Sequence, residues 1–134
     1  MTTRADWQDA VGRNWARSYA QTDRSFAGLT EHLLGRIGAF EGSQVLDVGC
    51  GAGLLCEPLS RLGAAVTGVD AAVENIAAAK AHASQSGLAI DYRAGELAVQ
   101  KLGLFDLVSS MEVIEHVTEP AVFVGELAAR LKPD

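Results

Sequence analysis

Cysteine, proline and aromatic side chains are all scarce in this sequence of 134 residues. Its 2 cysteines, Cys50 and Cys56, match the spacing of no zinc or redox motif, so both are predicted to be free thiols. Free thiols are typical of a reducing compartment, and the cytoplasm is therefore the expected location. Aromatic residues make up 6% of the chain against 49% for all hydrophobic residues, which predicts an aliphatic core.

Basic residues are outnumbered by acidic ones, and no long apolar run occurs. The 11 Lys and Arg against 17 Asp and Glu give a net charge of −6, which argues against nucleic-acid phosphates as the main ligand. No stretch approaches the roughly 18 apolar residues of a membrane span, and the first residues lack the apolar segment of a signal peptide. The length fits one domain with a core of its own.

The most informative stretch is VLDVGCGAG, residues 45–53, in which a short apolar run is followed by glycine at every second position. An apolar run of this length bounded by glycines predicts a buried parallel strand, and the glycines allow a tight turn close to a ligand. A helix is predicted over residues 54–62, ending at Gly63, with Pro58 making it start late or kink. Strand, glycine turn and helix are typical of a nucleotide-binding βαβ unit.

Two acidic residues accompany this unit. Asp47 lies inside the first strand, where it either caps the glycine turn through backbone N–H groups or faces a cationic or polar group of a ligand. Asp70 ends a second strand, residues 65–69, where it could accept hydrogen bonds from ribose hydroxyls or cap the next helix. In the dinucleotide fingerprint G-x-G-x-x-G the third glycine comes one residue later than Gly53 does here.

The motif DVGCGAG followed by TGVD resembles the cofactor site of the class I methyltransferases that use S-adenosylmethionine (SAM). The sequence MEVIEHV, residues 111–117, is similar to one branch of them, the ubiquinone-biosynthesis O-methyltransferases. The resemblance covers residues 45–132 and implies methyl transfer from SAM to a small-molecule acceptor, an O-methylation of a quinol or phenol. Family members continue past the last element found here, so the chain resembles the amino-terminal portion of a longer protein.

The resemblance also implies roles for individual residues. The backbone at Gly49, Gly51 and Gly53 would pass beneath the methionine part of SAM, with Asp47 just upstream. Asp70 would bind the ribose hydroxyls. Contacts with the adenine or with another part of the cofactor are implied for Ala71, Glu96, Leu97 and Met111. For the last three of these, an ordinary loop or core position is the alternative.

Alternating strands and helices predict an α/β fold with a doubly wound, mostly parallel sheet in the order 3-2-1-4. Residues 43–134 would form this Rossmann-like domain, with further elements at residues 73–86, 88–93 and 105–110 and from Pro120. The sheet would be incomplete at its carboxyl end, leaving the fourth strand as an edge open to self-association.

Residues 1–42 are predicted to form two leading helices. Their apolar stripes are Trp7, Val11, Trp15 and Tyr19, then Phe26, Leu29, Leu33 and Ile37. The helices would pack on the domain, which is the usual role of such stripes. The resemblance implies a second role, in which they close over the cofactor as a lid.

Three polar side chains after the fourth strand, Glu112, Glu115 and His116, are spaced so that one helical turn would put them on one face. Such a face could hold a divalent cation, magnesium or zinc, which would lower the pKa of an acceptor hydroxyl. Alternatively His116 acts as a general base that Glu115 orients. The third interpretation is a solvated turn that binds no metal.

Two other functions fit parts of the pattern. An NAD(P)-dependent oxidoreductase has a similar fold, but the glycine spacing and Asp47 argue against it, and no tyrosine–lysine pair follows the fourth strand. A non-catalytic SAM-binding fragment is the other alternative, because the resemblance ends before the family's later strands.

Overall fold

The computed structural model describes residues 13, 17–37 and 40–134, so Trp7, Val11 and Trp15 of the first predicted stripe lie outside the described residues. The helices are α1 (Tyr19–Ile37), α2 (Cys56–Arg61), α3 (Val73–Gln85) and α4 (Pro120–Ala128). The strands are β1 (Gln44–Val48), β2 (Ala65–Asp70), β3 (Asp91–Ala94) and β4 (Leu107–Ser109). Short 3₁₀ turns cover Leu97–Val99 and Ile114–His116.

The four strands form one parallel sheet in the order β3-β2-β1-β4, which confirms the predicted topology. The register pairs Val45 with Val66 on one side and with Leu107 on the other. β1 is central because both of its edges are paired, and its apolar sequence follows from burial on both faces. The order in which strands are added reverses after β3, because β4 lies on the other side of β1. In folds of this kind, such a reversal places the ligand-binding crevice at the carboxyl ends of the two strands beside it, here β1 and β4.

Side chains alternate along β1 and so supply two separate core clusters. Val45 joins a cluster that contains Val66, Tyr92 and the buried faces of α2 and α3. Leu46 and Val48 join a second cluster, against which Phe123 and Leu127 of α4 pack. Because successive residues of a strand point to opposite faces, the two clusters lie on opposite sides of the sheet, and helices cover both. This arrangement is the doubly wound architecture expected from the sequence.

The helix α1 ends at Ile37, as predicted, but its inward face differs from the predicted stripe. Leu33 and Leu34 pack against the first core cluster, and Thr30 is buried, whereas Leu29 is 51% exposed. The buried face of α1 therefore consists of Thr30, Leu33 and Leu34, at positions i, i+3 and i+4. The prediction was wrong at Leu29 because it followed apolar residues only, and the polar Thr30 is not marked by that pattern. α1 packs directly on the domain through this face.

The helix after the glycine turn starts late, as expected from Pro58. It begins at Cys56, and residues 51–55 form turns before it. Pro58 thus lies in the first helical turn, where a backbone N–H has no partner within the helix and its absence costs little. Glu57 of the same helix is buried and accepts a hydrogen bond from His82 Nδ1 at 2.6 Å, which fastens α2 to α3.

The later strands are shorter than predicted, and the β4 edge is partly covered. β3 begins at Asp91 rather than at residue 88, although Leu88 and Ile90 still pack against the first cluster. On the side of β4 away from β1, the Phe105 N–H donates to Arg130 O at 2.8 Å, and Lys132 N–H donates to Phe105 O at 2.9 Å. The edge expected to be wholly open is therefore paired at Phe105.

Within the described residues, no helix is long and apolar enough to cross a membrane.

Candidate cofactor site

The glycine turn after β1 uses three residues in a backbone conformation that favours glycine. The φ angles are 74° at Gly49, 56° at Gly51 and 97° at Gly53. A Cβ at Gly49 would collide with the Val113 side chain, and one at Gly53 would collide with the Tyr92 hydroxyl. A Cβ at Gly51 would meet no atom within 4 Å, so open space faces this residue. The turn therefore presents a bare length of backbone at Gly51, which is the kind of cradle a ligand can approach closely.

Hydrogen bonds from the turn to the end of β2 hold the turn in place. The N–H groups of Gly49 and Cys50 donate to Val69 O at 2.7 and 3.1 Å. The Gly51 N–H donates to Asp70 Oδ2 at 2.9 Å. The cradle and the acidic strand end, predicted separately from two motifs, are thus in direct contact.

Asp70 is buried and has three hydrogen-bond donors around it. Besides Gly51, the Ala72 N–H donates to Oδ1 at 2.9 Å and Asn75 Nδ2 donates to Oδ1 at 3.2 Å. Burial raises the pKa of Asp70 above its usual range, and these hydrogen bonds oppose the rise. Asp70 is not the N-cap of α3, because that position belongs to Ala72. It instead links the glycine turn to the start of α3.

Asp47 is buried beneath the turn with only side-chain partners. Ser109 Oγ donates to Oδ1 at 2.9 Å, and Cys56 Sγ donates to Oδ2 at 3.4 Å. Burial raises the pKa of Asp47 to about 6, while the hydrogen bonds from Ser109 and Cys56 lower it. The capping interpretation is therefore wrong, since neither donor is a backbone N–H of the glycine turn.

The two cysteines flank this carboxylate as buried free thiols. The hydrogen bond with Cys50, together with burial, raises the pKa of Cys56 well above its usual range. A thiol with a raised pKa stays protonated and can donate to Asp47, as the geometry requires. These cysteines therefore serve packing and hydrogen bonding at the base of the site.

The remaining predicted cofactor residues lie around the same crevice with different degrees of burial. The Gly95 N–H donates to Asp70 O at 2.9 Å, which brings the loop containing Glu96 beside Asp70. Glu96 and Ala71 are half-buried. Leu97, however, is 6% exposed and packs in the second core cluster, and Met111 packs against the first. The structure thus brings Ala71 and Glu96 next to Asp70, whereas Leu97 and Met111 make core contacts.

The predicted helical face of Glu112, Glu115 and His116 does not form. Only residues 114–116 make a 3₁₀ turn, and Glu112 precedes it with φ of 57°, in the left-handed region. The prediction assumed α-helical spacing, which a left-handed residue interrupts. A hydrogen bond with Glu115 raises the pKa of Glu112, so these two carboxyl groups face each other.

The contacts of His116 bear on both chemical interpretations of this segment. His116 Nε2 and Glu115 Oε1 are 3.8 Å apart, which is an ion-pair distance and too long for a hydrogen bond. Across residues 13, 17–37 and 40–134, no group of three or more His, Cys, Asp or Glu side chains is arranged to hold a metal ion. In the arrangement seen here, Glu112, Glu115 and His116 therefore do not form the predicted magnesium or zinc site.

Sequence reasoning missed two residues of the site, Ser109 and Asn75. Ser109 is paired with Asp47 in the β1–β4 register, so a polar residue at that position of β4 was the signal that could have found it. Asn75 is 1% exposed in α3 and reaches back to Asp70. Its position five residues after Asp70 matches no motif, and only the fold of the α3 start reveals the contact.

The glycine turn contacts the buried carboxylate of Asp70 at the end of β2, next to the point where the strand order of the parallel sheet reverses. This combination defines a Rossmann-like cofactor-binding domain. A family model described as a methyltransferase domain matches residues 46–134. The chain therefore belongs to the methyltransferase domain family, and the resemblance found from the sequence is confirmed.

Among curated relatives, a ubiquinone biosynthesis O-methyltransferase from Bradyrhizobium diazoefficiens is 58% identical over 94 residues, which cover 69% of this chain and 37% of that protein. The chain thus spans less than half the length of the relatives it matches. A magnesium protoporphyrin IX methyltransferase from Synechocystis with bound SAM shares the fold at a TM-score of 0.80 and 22% identity, over 96% of this chain and 70% of that one. A SAM-dependent methyltransferase from Aquifex aeolicus is 28% identical with a TM-score of 0.69, over 78% of this chain and 58% of that one.

Replacing Asp47 by Asn is expected to flatten the pH dependence of stability. With a pKa of about 6, native Asp47 keeps a proton that the unfolded chain releases near pH 4. The free energy of unfolding therefore falls as the pH rises from about 4 to about 6, by on the order of 3 kcal/mol, and stays low above that range. Chemical denaturation across this range should show a smaller fall in Asp47→Asn than in the native chain.

Asp106→Asn provides the control for this measurement. Hydrogen bonds from the Gln44 N–H and from Lys132 lower the pKa of exposed Asp106, so its contribution to stability grows with rising pH. The two substitutions should therefore change the pH slope in opposite directions. An unchanged slope in Asp47→Asn would contradict the raised pKa.

Proposed function

We propose that this chain is the cofactor-binding part of a SAM-dependent methyltransferase that methylates a small-molecule acceptor. The observation that carries the proposal is the bare backbone at Gly51, held against Asp70 and facing open space. The names of the relatives favour O-methylation of a quinol or phenol as the reaction of the whole protein. A non-catalytic SAM-binding fragment is the alternative for the chain by itself, because it spans 37% of that relative.

The residues present fit SAM as the cofactor, which would supply the methyl group and leave as a neutral thioether. Gly49, Gly51 and Gly53 would lie beneath its methionine part, and Asp70 would accept from the ribose. Ala71 and Glu96 would lie beside the adenine, with Leu97 and Met111 shaping the pocket from within the core. Buried Asp47 would act through the turn above it. Because methyl transfer depends mainly on alignment, the chain's task is to hold the cofactor rigidly and exclude water.

Calorimetric titration of the chain with SAM, S-adenosylhomocysteine and NAD tests the cofactor. SAM and S-adenosylhomocysteine should bind, and NAD should not, because the third glycine comes one residue too early for the dinucleotide fingerprint.

Asp70→Ala should weaken SAM binding by about 1–3 kcal/mol, the usual cost of leaving partners unpaired. Asp91→Ala, an exposed carboxylate on β3, is the matched control and should leave the affinity unchanged. Comparable affinity for NAD would reject the proposal.

We further propose His116 as the general base that takes the acceptor's proton, with Glu115 orienting it. Both residues follow β4 at the edge where this fold binds ligands, and they approach within 3.8 Å without a hydrogen bond. Such contacts often shorten when a substrate binds. A divalent cation on Glu112, Glu115 and His116 remains a second hypothesis, and it requires these side chains to rearrange.

The complete protein that contains this chain is the material for testing His116. His116→Ala should lower turnover about 10²–10⁴-fold, the usual contribution of a general base, with SAM affinity intact. His32→Ala, which changes an exposed histidine of α1, is the control and should keep full turnover.

Full activity after exhaustive chelation would reject the cation. Loss on chelation, recovery with magnesium or zinc, and matching loss in Glu115→Gln would instead replace the general base with a metal.

We propose a cytoplasmic location, no nucleic-acid partner and no membrane span for this chain, on the basis of its free thiols, its net charge of −6 and its lack of a long apolar run. Residues 1–42 are proposed to pack on the domain, as α1 does through Leu33 and Leu34, or to extend over the site as a lid.

Self-association through the outer edge of β4 is a further proposal, because the pairing with residues 130–132 is seen at Phe105, before the strand itself begins. Sedimentation velocity at rising concentration should then show a dimer of the 134-residue chain. A monomer at all concentrations would contradict it.

A further inference from the structure

The segment that carries His116 packs against the glycine turn through the side chain of Val113. This side chain occupies the space that a Cβ of Gly49 would need, and its Cγ2 methyl is the nearest atom to that position. Gly49 has a φ of 74°, and Val113 is half-buried. The missing side chain at Gly49 therefore permits the turn and also leaves a seat for Val113.

The main chain of Val113 makes a second contact, with His116. Val113 directly precedes the 3₁₀ turn Ile114–His116, and its carbonyl oxygen accepts a hydrogen bond from the His116 N–H at 2.8 Å. One residue thus touches the cofactor turn with its side chain and His116 with its main chain. The path from the glycine turn to the backbone of His116 therefore runs through Val113.

The backbone just before Val113 is held in a conformation that needs support. Glu112 has a φ of 57°, which a residue with a side chain seldom adopts unless the surrounding contacts impose it. On one side of Glu112, Ser110 Oγ donates to Val48 O at 2.8 Å. On the other side, Val113 packs on Gly49. Val48 ends β1 and Gly49 follows it, so the segment after β4 is fastened to the end of β1 on both sides of Glu112.

We propose that Val113 is a positioning residue for the transfer of the acceptor's proton: its side chain, seated on Gly49, sets where the backbone of His116 lies relative to the cofactor turn. The inference rests on the proposed function, in which His116 is the general base, and adds the residue that positions this base. The imidazole itself can still turn, because Val113 holds only the main chain. Loss of the valine side chain would misplace the base and leave intact the hydrogen bonds of the glycine turn to Val69 and Asp70.

Val113→Ala in the complete protein tests this role, because it removes both γ-methyl groups and keeps the carbonyl that holds His116. Turnover should fall about tenfold, since a misplacement of about 1 Å in an active site can cost about a hundredfold. SAM affinity should stay unchanged, because the hydrogen bonds of the glycine turn are intact. Val113→Thr keeps the branched shape, with a hydroxyl that can face solvent at this half-buried position, and should restore most of the lost turnover.

Val66→Ala is the matched control for lost stability. Val66 is 4% exposed in the first core cluster, and it pairs with Val45 at the end of β1 that lies away from the glycine turn. The same substitution should lower the melting temperature more here than at half-buried Val113, and it should leave turnover unchanged. An equal loss of turnover in Val66→Ala would trace the effect to a loosened domain and would overturn the proposal.

Hydrogen exchange of backbone amides in the complete protein tests the contact without cofactor or turnover. The His116 N–H is held by Val113 O, so its exchange should quicken about fivefold in Val113→Ala and return toward the native rate in Val113→Thr. The Gly51 N–H, which is held by Asp70, should exchange at one rate in all three proteins. Unchanged exchange at His116 in Val113→Ala would show that the side chain does not hold this turn, and the proposal would be rejected.

The outcomes also separate this role from the proposed function. If the native protein binds SAM and turns over, and Val113→Ala does so equally well, the positioning role is rejected and the proposed function stands. If the native protein does not bind SAM, the proposed function fails, and if His116→Ala keeps full turnover, the general base fails. The role of Val113 fails with either of them.

Discussion

The carboxylate of Asp70 is the point on which the arrangement of the site depends. Its two oxygens receive N–H groups from the glycine turn at Gly51 and from the start of α3 at Ala72, which lie on either side of the end of β2. Without this link the turn would be tied to β2 only by the bonds to Val69 O. A buried acidic group is costly, and three donors offset that cost while fixing the geometry. The protein's own hydrogen bonds thus hold the glycine turn in place.

Asp47 is a second buried carboxylate near Asp70, and the two influence each other's charge at the base of the site. The charge of Asp70 adds to the desolvation that raises the pKa of Asp47 to about 6, so near neutral pH the pair does not carry two full charges at all times. Ser109 and Cys56 supply hydrogen bonds from β4 and α2, which join the three elements around the turn. The polar interior therefore ties the cofactor side together, and apolar packing alone would not specify one position for the turn.

Sequence patterns predicted the parts of the fold that depend on local rules. The apolar run before Gly49 suffices to predict β1, and the alternation of strands and helices suffices to predict a parallel sheet. The strand order follows once the sheet is assumed to be doubly wound. Where long-range packing decides, the sequence was less informative: Thr30 rather than Leu29 faces the core, and the packing of Leu97 in the second core cluster was not foreseen. Asn75 shows where sequence prediction stops, because its hydrogen bond to Asp70 depends on how the chain bends between β2 and α3. Sequence patterns locate the glycine turn, whereas the side-chain contacts of Asp70 and Asp47 can be found only from the three-dimensional structure.

The two sides of the crevice differ in how firmly they are built. On the cofactor side, Asp47, Asp70 and Asn75 are buried and joined by short hydrogen bonds. On the other side, Glu115 and His116 are partly exposed and 3.8 Å apart, after a left-handed residue. Under the proposed function this asymmetry suits transfer of a methyl group, because the donor would have to be aligned rigidly and the acceptor's proton would need only a base within reach. A rigid cofactor side combined with an adaptable acceptor side would let one such domain serve different acceptors.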